Sequence, residues 1–143
     1  MDILLYDDNK HRNDLISLWK SVFNYHDKRN DPALSIDNKL KINDNLLFIA
    51  IKDNKLIGSI MGGYDGHRGW IYSLSVDNNH RKKGVGSTLL KYLENELKKR
   101  GCIKINLQIL VSNEGVVEFY NKNGYKIEER ISMGKEILEN IQK

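Results

Sequence analysis

The chain has 143 residues, 40% hydrophobic and 29% charged, with a formal net charge of +4, which fits one ordinary globular domain spanning 1–143. The lone Cys102 excludes an internal disulfide framework, and four histidines beside one cysteine show no metal-ligand spacing, so no metal is expected. The longest apolar run, Leu46 to Ile51, falls far short of the ~20 residues of a membrane span, and Met1 to Asp8 lacks a leader pattern. The chain is therefore read as cytoplasmic with no membrane partner. Its basic residues do not interleave with exposed aromatics as a nucleic-acid platform would, so no nucleic acid is expected either.

In chain order, Ile3 to Tyr6 forms a short strand, and Leu15, Leu18, Trp19, Val22 and Phe23 recur at helical spacing. Asn24 to Pro32 is a polar loop holding the only proline, followed by a weaker helix over Ala33 to Asn43. Leu46 to Lys52 and Leu56 to Tyr64 are strand-like runs around an Asp53-Asn54 hairpin turn. A second turn, Asp65 to Gly69, leads into Trp70 to Val76, where Tyr72, Leu74 and Val76 alternate against Ile71, Ser73 and Ser75.

Val85, Leu89, Leu93 and Leu97 then share one helix face, widened by Leu90, and Gly101 ends the helix. Glu94 with Lys98 and Glu96 with Arg100 have the spacing of helical ion pairs. Ile103 to Val111 alternates as a strand, parallel to Trp70 to Val76 if the helix is a crossover. Asn113 to Asn123 is a short helix, and Tyr125 to about Ile137 a terminal strand. The expected order is β-α-α-β-β-β-α-β-α-β, a mixed α/β sheet.

Between the third antiparallel strand and the long helix lies Arg81-Lys82-Lys83-Gly84-Val85-Gly86-Ser87. Its glycines let backbone N–H groups approach an anion, and the helix start adds unpaired donors and the positive end of its dipole. A nucleotide P-loop is excluded, because the basic residues precede Gly84 instead of following the last glycine. A dinucleotide fingerprint is excluded too, because Leu89 stands where the third glycine belongs. The loop reads as a cradle for another phosphate ligand.

Arg81-x-x-Gly84-x-Gly86, preceded by Leu74-x-Val76 and followed by Leu89-Leu90, resembles the central motif of the GNAT superfamily of N-acetyltransferases. Asn113-x-x-Val116-x-x-Phe119-Tyr120-x-x-x-Gly124-Tyr125 resembles its second motif, and the resemblance covers nearly the whole chain. The string from Gly62 to Gly69, GGYDGHRG, is similar to that of a bacterial subgroup whose substrate is unassigned.

The resemblance implies an acetyl-CoA-dependent N-acetyltransferase acting on a primary amine of a small molecule or protein by direct attack in a ternary complex. A non-catalytic acyl-CoA sensor or partner-binding module would keep the same glycine loop. It also implies that Leu74, Ser75 and Val76 hold the pantetheine and acetyl group, where the strand bulges and splays from its parallel neighbour, with the Val76 N–H as oxyanion donor. Arg81, Lys82, Lys83, Gly84, Val85, Gly86 and Ser87 would then hold the pyrophosphate, with Asn113 beside the pantetheine.

Tyr120 matches the family tyrosine that protonates the thiolate; by spacing alone, Val116, Phe119 and Tyr120 are equally a helix's apolar face, and Asn113 is equally a helix N-cap. The strand Trp70 to Val76 holds no carboxylate, so proton removal from the amine is left to water, Asp65, His67 or Tyr72. Cys102, with no partner histidine nearby in sequence, is read as a core residue. Acceptor groups are expected from Asn24 to Ser35, from the Tyr64 to Trp70 turn and from the terminal strand. The short stretch after Tyr125 leaves one edge of that site open, or completed by another subunit in a homodimer.

Overall fold

The computed structural model describes residues 1–23 and 31–137, so most of the loop expected at Asn24 to Pro32 lies outside the described residues. The chain divides into two compact units, Met1–Asn106 and Leu107–Lys143, each described by itself.

The first unit is a five-stranded sheet in the order β1-β2-β3-β4-β5. Its strands are β1 (Asp2–Leu5), β2 (Leu47–Lys52), β3 (Lys55–Tyr64), β4 (Gly69–Val76) and β5 (Ile105–Asn106). β1 to β4 pair antiparallel, and β4 pairs parallel to β5. Asp53 and Asn54 both take left-handed φ, 51° and 62°, the backbone that a two-residue hairpin between twisted strands requires and that Asp and Asn tolerate.

The two sheet faces receive different helices. α1 (Asp8–Val22) is capped by the Asp7 carboxylate, which accepts the Asn9 N–H. α2 (Pro32–Ile42) is capped by Asp31, with Pro32 in the first turn and Asn43 ending it at φ 55°. Leu15, Leu18, Trp19 and Ile36 of these helices bury against Leu47, Ile49 and Leu56. Arg12 joins the two helices by bridging Asp8 and Asp37.

α3 (Val85–Lys99) covers the opposite face with Val85, Leu89, Leu90, Leu93 and Leu97, all buried. A Cβ on Gly62 would come within 2.5 Å of Leu93, so the absence of a side chain on β3 is what lets α3 lie close. The helix ends as expected around Gly101: Cys102 N–H reaches the Leu97 carbonyl and Gly101 N–H the Lys98 carbonyl. Its last turn differs from expectation in its pairing. Lys99 meets Glu96 at 2.8 Å, while Arg100 donates to the Asp44 carbonyl at 2.7 Å, tying the helix end to the approach of β2.

The expected alternation of β4 fails at one point. Ser59 faces Ser75 and Met61 faces Tyr72, so Ile60 stands opposite both Ser73 and Leu74, and Ser73 takes φ 52°. This is a β-bulge. One extra residue exchanges the faces of odd and even positions: a Cβ on Gly69 would point to Leu97 of α3, whereas Ser75 points to Ser59 and the α1 side. Ile71 and Ser75 are both buried for that reason, on opposite faces of the sheet.

Two expected strands are corrected. Of Ile103 to Val111, only Ile105 and Asn106 form ladder pairs among the described residues, the Lys104 carbonyl accepting the Gly69 N–H just before them, and Ile103 is 92% exposed. The parallel direction relative to β4 holds, but the ladder stops at Trp70↔Asn106, before the bulge bends β4. In the second unit a 3₁₀ stretch, Val111–Val116, precedes α4 (Val117–Lys122). Tyr125 to Ile137 forms no strand: Ile127, Ile131, Met133 and Ile137 are exposed and no ladder partner is present among the described residues. Alternation marks a segment that suits a pleated surface, but a strand also needs a neighbour to accept its N–H groups.

Candidate active site

The end of β4 and the start of α3 meet through a short, structured link. Asp77 opens a 3₁₀ turn, Asn78–His80, and its carboxylate lies 2.8 Å from His80 Nδ1. That contact, before any other, holds the Asp77 carboxyl below the usual carboxylate range. Lys82 (φ 62°) and Gly84 (φ 84°) then take left-handed backbone, a path in which successive N–H groups converge into an anion-binding concavity.

Gly84 is the N-cap of α3 and has no side chain with which to cap it. The first intrahelical bond runs from Thr88 N–H to the Gly84 carbonyl, so the N–H groups of Val85, Gly86 and Ser87 precede the ladder. A Cβ on Gly84 would meet no protein atom within 4 Å, in contrast to the one on Gly62. The space beside this glycine is open, and Arg81, Lys82 and Lys83 stand exposed next to it. Donors, dipole, charge and clearance together suit a phosphate ester.

The register of β3 and β4 decides where the Val76 amide points. Asp77 N–H donates to the Ile57 carbonyl at 2.7 Å, which makes Ile57 and Asp77 a hydrogen-bonded pair and the neighbouring Gly58↔Val76 a non-bonded one. Val76 therefore turns its N–H and carbonyl away from β3, to the edge of β4 where no strand pairs beyond Trp70 among the described residues. The Val76 carbonyl accepts from Arg81 Nε at 3.3 Å, joining the loop to the strand end.

Leu74, Ser75, Val76 and the residues from Arg81 to Ser87 thus share one region of the first unit. Asn113 and Tyr120 belong to the second. Asn113 is exposed inside the 3₁₀ stretch, donating its N–H to the Leu110 carbonyl, and the N-cap of α4 is Val116, so the capping role considered for Asn113 is corrected. Tyr120 lies edge-on to Phe119 and Tyr125, and burial pushes its phenol up to about 12. It stays protonated at every physiological pH.

Of the groups considered as proton acceptors, two are poor ones. Asp65 Oδ1 accepts the backbone N–H groups of His67 and Arg68, both at 2.7 Å, and these bonds hold its carboxyl below the usual range. It shapes the β3–β4 turn. The Tyr72 phenol is shifted up by partial burial and by the Asp65 charge, although the side chain is 51% exposed. His67 is exposed in the same turn. Cys102 is partly buried against Gly69, its Sγ donating to the Lys104 carbonyl. Among the described residues no group of three or more His, Cys, Asp or Glu is placed to hold a metal, and no helix is long and apolar enough to cross a membrane.

Sequence reasoning missed Trp19 and Ser59. Their side chains meet at 2.8 Å beneath the bulge, where Ser59 also contacts Ser73 and Ser75. Nothing in either local sequence signals that contact.

Residues 12–125 match the Acetyltransferase (GNAT) family. The chain belongs to that family. An acetyltransferase of Pectobacterium atrosepticum is 39% identical over 110 residues, covering 77% of this chain and 78% of that protein. One of Sodalis glossinidius is 40% identical over 111 residues, with the same coverage of 77% and 78%. The fold is likewise shared with solved structures. An aminoglycoside 6'-N-acetyltransferase of Acinetobacter haemolyticus superposes with TM-score 0.76 at 14% identity, over 97% of this chain and 100% of that one. The PaiA N-acetyltransferase of Thermoplasma acidophilum, solved with coenzyme A, gives 0.77 at 20% identity, over 91% and 92%. As a GNAT member this protein is an N-acetyltransferase that uses acetyl-CoA.

Proposed function

We propose that the protein transfers the acetyl group of acetyl-CoA to a primary amine of a small molecule or protein by direct attack in a ternary complex. The observation that carries this reading is the pairing of an uncapped helix start at Gly84 with the outward-turned Val76 amide, joined by Arg81. Acetyl-CoA supplies a thioester carbonyl as electrophile and a pyrophosphate as handle.

The N–H groups at the Lys82 to Ser87 loop hold the pyrophosphate, and Arg81, Lys82 and Lys83 add positive potential around it. Leu74 and Val76 line the acyl end, whereas Ser75, expected beside them, is turned beneath the strand to Ser59, and the Val76 N–H donates to the carbonyl oxygen as negative charge grows there. The neutral amine nitrogen bonds to the carbonyl carbon as the carbon–sulfur bond breaks. The thiolate takes its proton from Tyr120, a role resting on the family motif and on a phenol kept protonated; Asn113 is assigned beside the pantetheine on the motif alone. The amine's proton passes to water or His67, since Asp65 is committed to its turn. Cys102, engaged with Lys104, takes no acyl group.

Calorimetric titration with acetyl-CoA, CoA, ATP and NAD tests the ligand class. Micromolar binding confined to the two CoA compounds is expected, and equal binding of ATP or NAD would overturn it. The names of the aminoglycoside acetyltransferases place aminoglycosides, beside polyamines and peptide amines, in the first acceptor panel, read by thiol release.

A further inference from the structure

The bulge in β4 brings the Ser73 carbonyl to Ser59, and a serine at φ 52° sits in backbone that side chains disfavour. Such backbone needs support from elsewhere. Ser59 Oγ supplies it, donating to the Ser73 carbonyl at 3.2 Å. The same oxygen accepts the Trp19 indole N–H at 2.8 Å and lies 2.7 Å from Ser75 Oγ.

A hydroxyl has one proton and two acceptor positions. With the Ser59 proton on the Ser73 carbonyl and the indole on one lone pair, the remaining lone pair receives the Ser75 hydroxyl. That single assignment satisfies every contact. Trp19 and Ser59 are 0% exposed and Ser75 4%, so water offers no substitute for a lost partner.

We propose that Trp19, Ser59 and Ser75 are positioning residues for acyl transfer, locking the β4 bulge at Ser73 so that the Val76 amide faces the open edge. The proposal rests on the reading that this amide meets the acyl oxygen. Its physical content is register. The side of β4 to which an amide points alternates residue by residue, so a bulge that migrates past Val76 would present a different N–H to that edge. Without the Ser59 proton the Ser73 carbonyl loses this buried bond, and the bulge is freer to migrate.

The test uses the full chain with Ser59→Ala, Ser59→Thr, Trp19→Phe and Ser75→Ala. Melting temperature, acetyl-CoA affinity by calorimetry, thiol release with the best amine of the panel, and backbone amide shifts of Ser73 to Val76 are measured for each. Ser59→Ala is expected to lower kcat about tenfold to a hundredfold, up to the loss that a misplacement of about 1 Å brings. Acetyl-CoA affinity should stay within about twofold, because the phosphate loop is untouched. The Val76 amide resonance should shift.

Ser59→Thr, which keeps the hydroxyl, should restore the rate, and Trp19→Phe should show the same split in milder form. Should Ser59→Ala not fold, Trp19→Phe carries the test. A folded Ser59→Ala or Trp19→Phe protein with wild-type kcat, or with Ser73 to Val76 amides unmoved, overturns the proposal. Failure of the wild-type protein to bind acetyl-CoA would instead overturn the reading beneath it, and the amide shifts would still report whether the lock exists.

Discussion

The Arg81 to Ser87 loop and the Ser73 to Val76 end of β4 lie side by side, yet they are built in opposite ways. The loop is exposed and local: its shape comes from backbone angles at Lys82 and Gly84, and its charge from three adjacent side chains. The strand end is held from beneath by buried Ser59, 14 residues before Ser73, and Ser59 is held in turn by Trp19, a further 40 residues back in sequence. A phosphate cradle can be made by contiguous residues, because a helix start already provides the donors. A single amide aimed at a reacting oxygen requires the surrounding core to hold it.

That contrast breaks most sharply at its glycines. Gly84→Val places a β-branched residue at φ 84° beside the loop N–H groups, and acetyl-CoA affinity should fall about a hundredfold or more, with a stability loss of about 1 to 2 kcal/mol from backbone strain alone. Gly62→Ala should leave binding alone: its Cβ meets Leu93, so overpacking should cost about 1 to 3 kcal/mol of stability with affinity unchanged. Calorimetry and thermal melts on the two variants read both effects. Equal loss of affinity in both would mean that the loop is merely another packed turn.

Tyr120→Phe should lower kcat by about a hundredfold, at the low end for a general acid, and leave acetyl-CoA affinity within about twofold. The sign of its pH dependence follows from a phenol pushed up to about 12. The proton stays in place well above neutrality and is lost only as pH rises toward that value, so the variant's deficit should be constant between about pH 7 and about pH 9. A deficit that vanishes within that window would remove Tyr120 from the mechanism.

The smallest effect is expected at Asp65. Asp65→Asn keeps an oxygen that can accept the His67 and Arg68 N–H groups, so kcat should stay within about threefold across the same pH range. A loss of a hundredfold would make the carboxylate a base after all.

The legibility of this chain follows the same division. The two hairpin turns, the three buried helices and the phosphate loop were readable because each is dictated by neighbours in sequence: Asp53-Asn54, the leucine spacing of α3, and Gly84 ahead of a helix. The family motifs pointed to a bulge in β4, but no local signal placed it at Ser73, because its supports come from α1 and β3. The same limit explains the strands over-read at Ile103 to Val111 and Tyr125 to Ile137. Alternating residues describe what a segment would bury, while the partner that would pair with it is recorded elsewhere in the chain or not at all.

Arg81 bears on both regions at once. Its charge belongs to the proposed phosphate loop, and its Nε rests on the carbonyl of Val76, the residue whose amide is turned to the open edge of β4. Under the proposed reading, a donor molecule gripped at its phosphate end and read at its thioester end is in effect measured for length. With one side chain spanning the two stations, the gauge is set inside the protein before any substrate arrives.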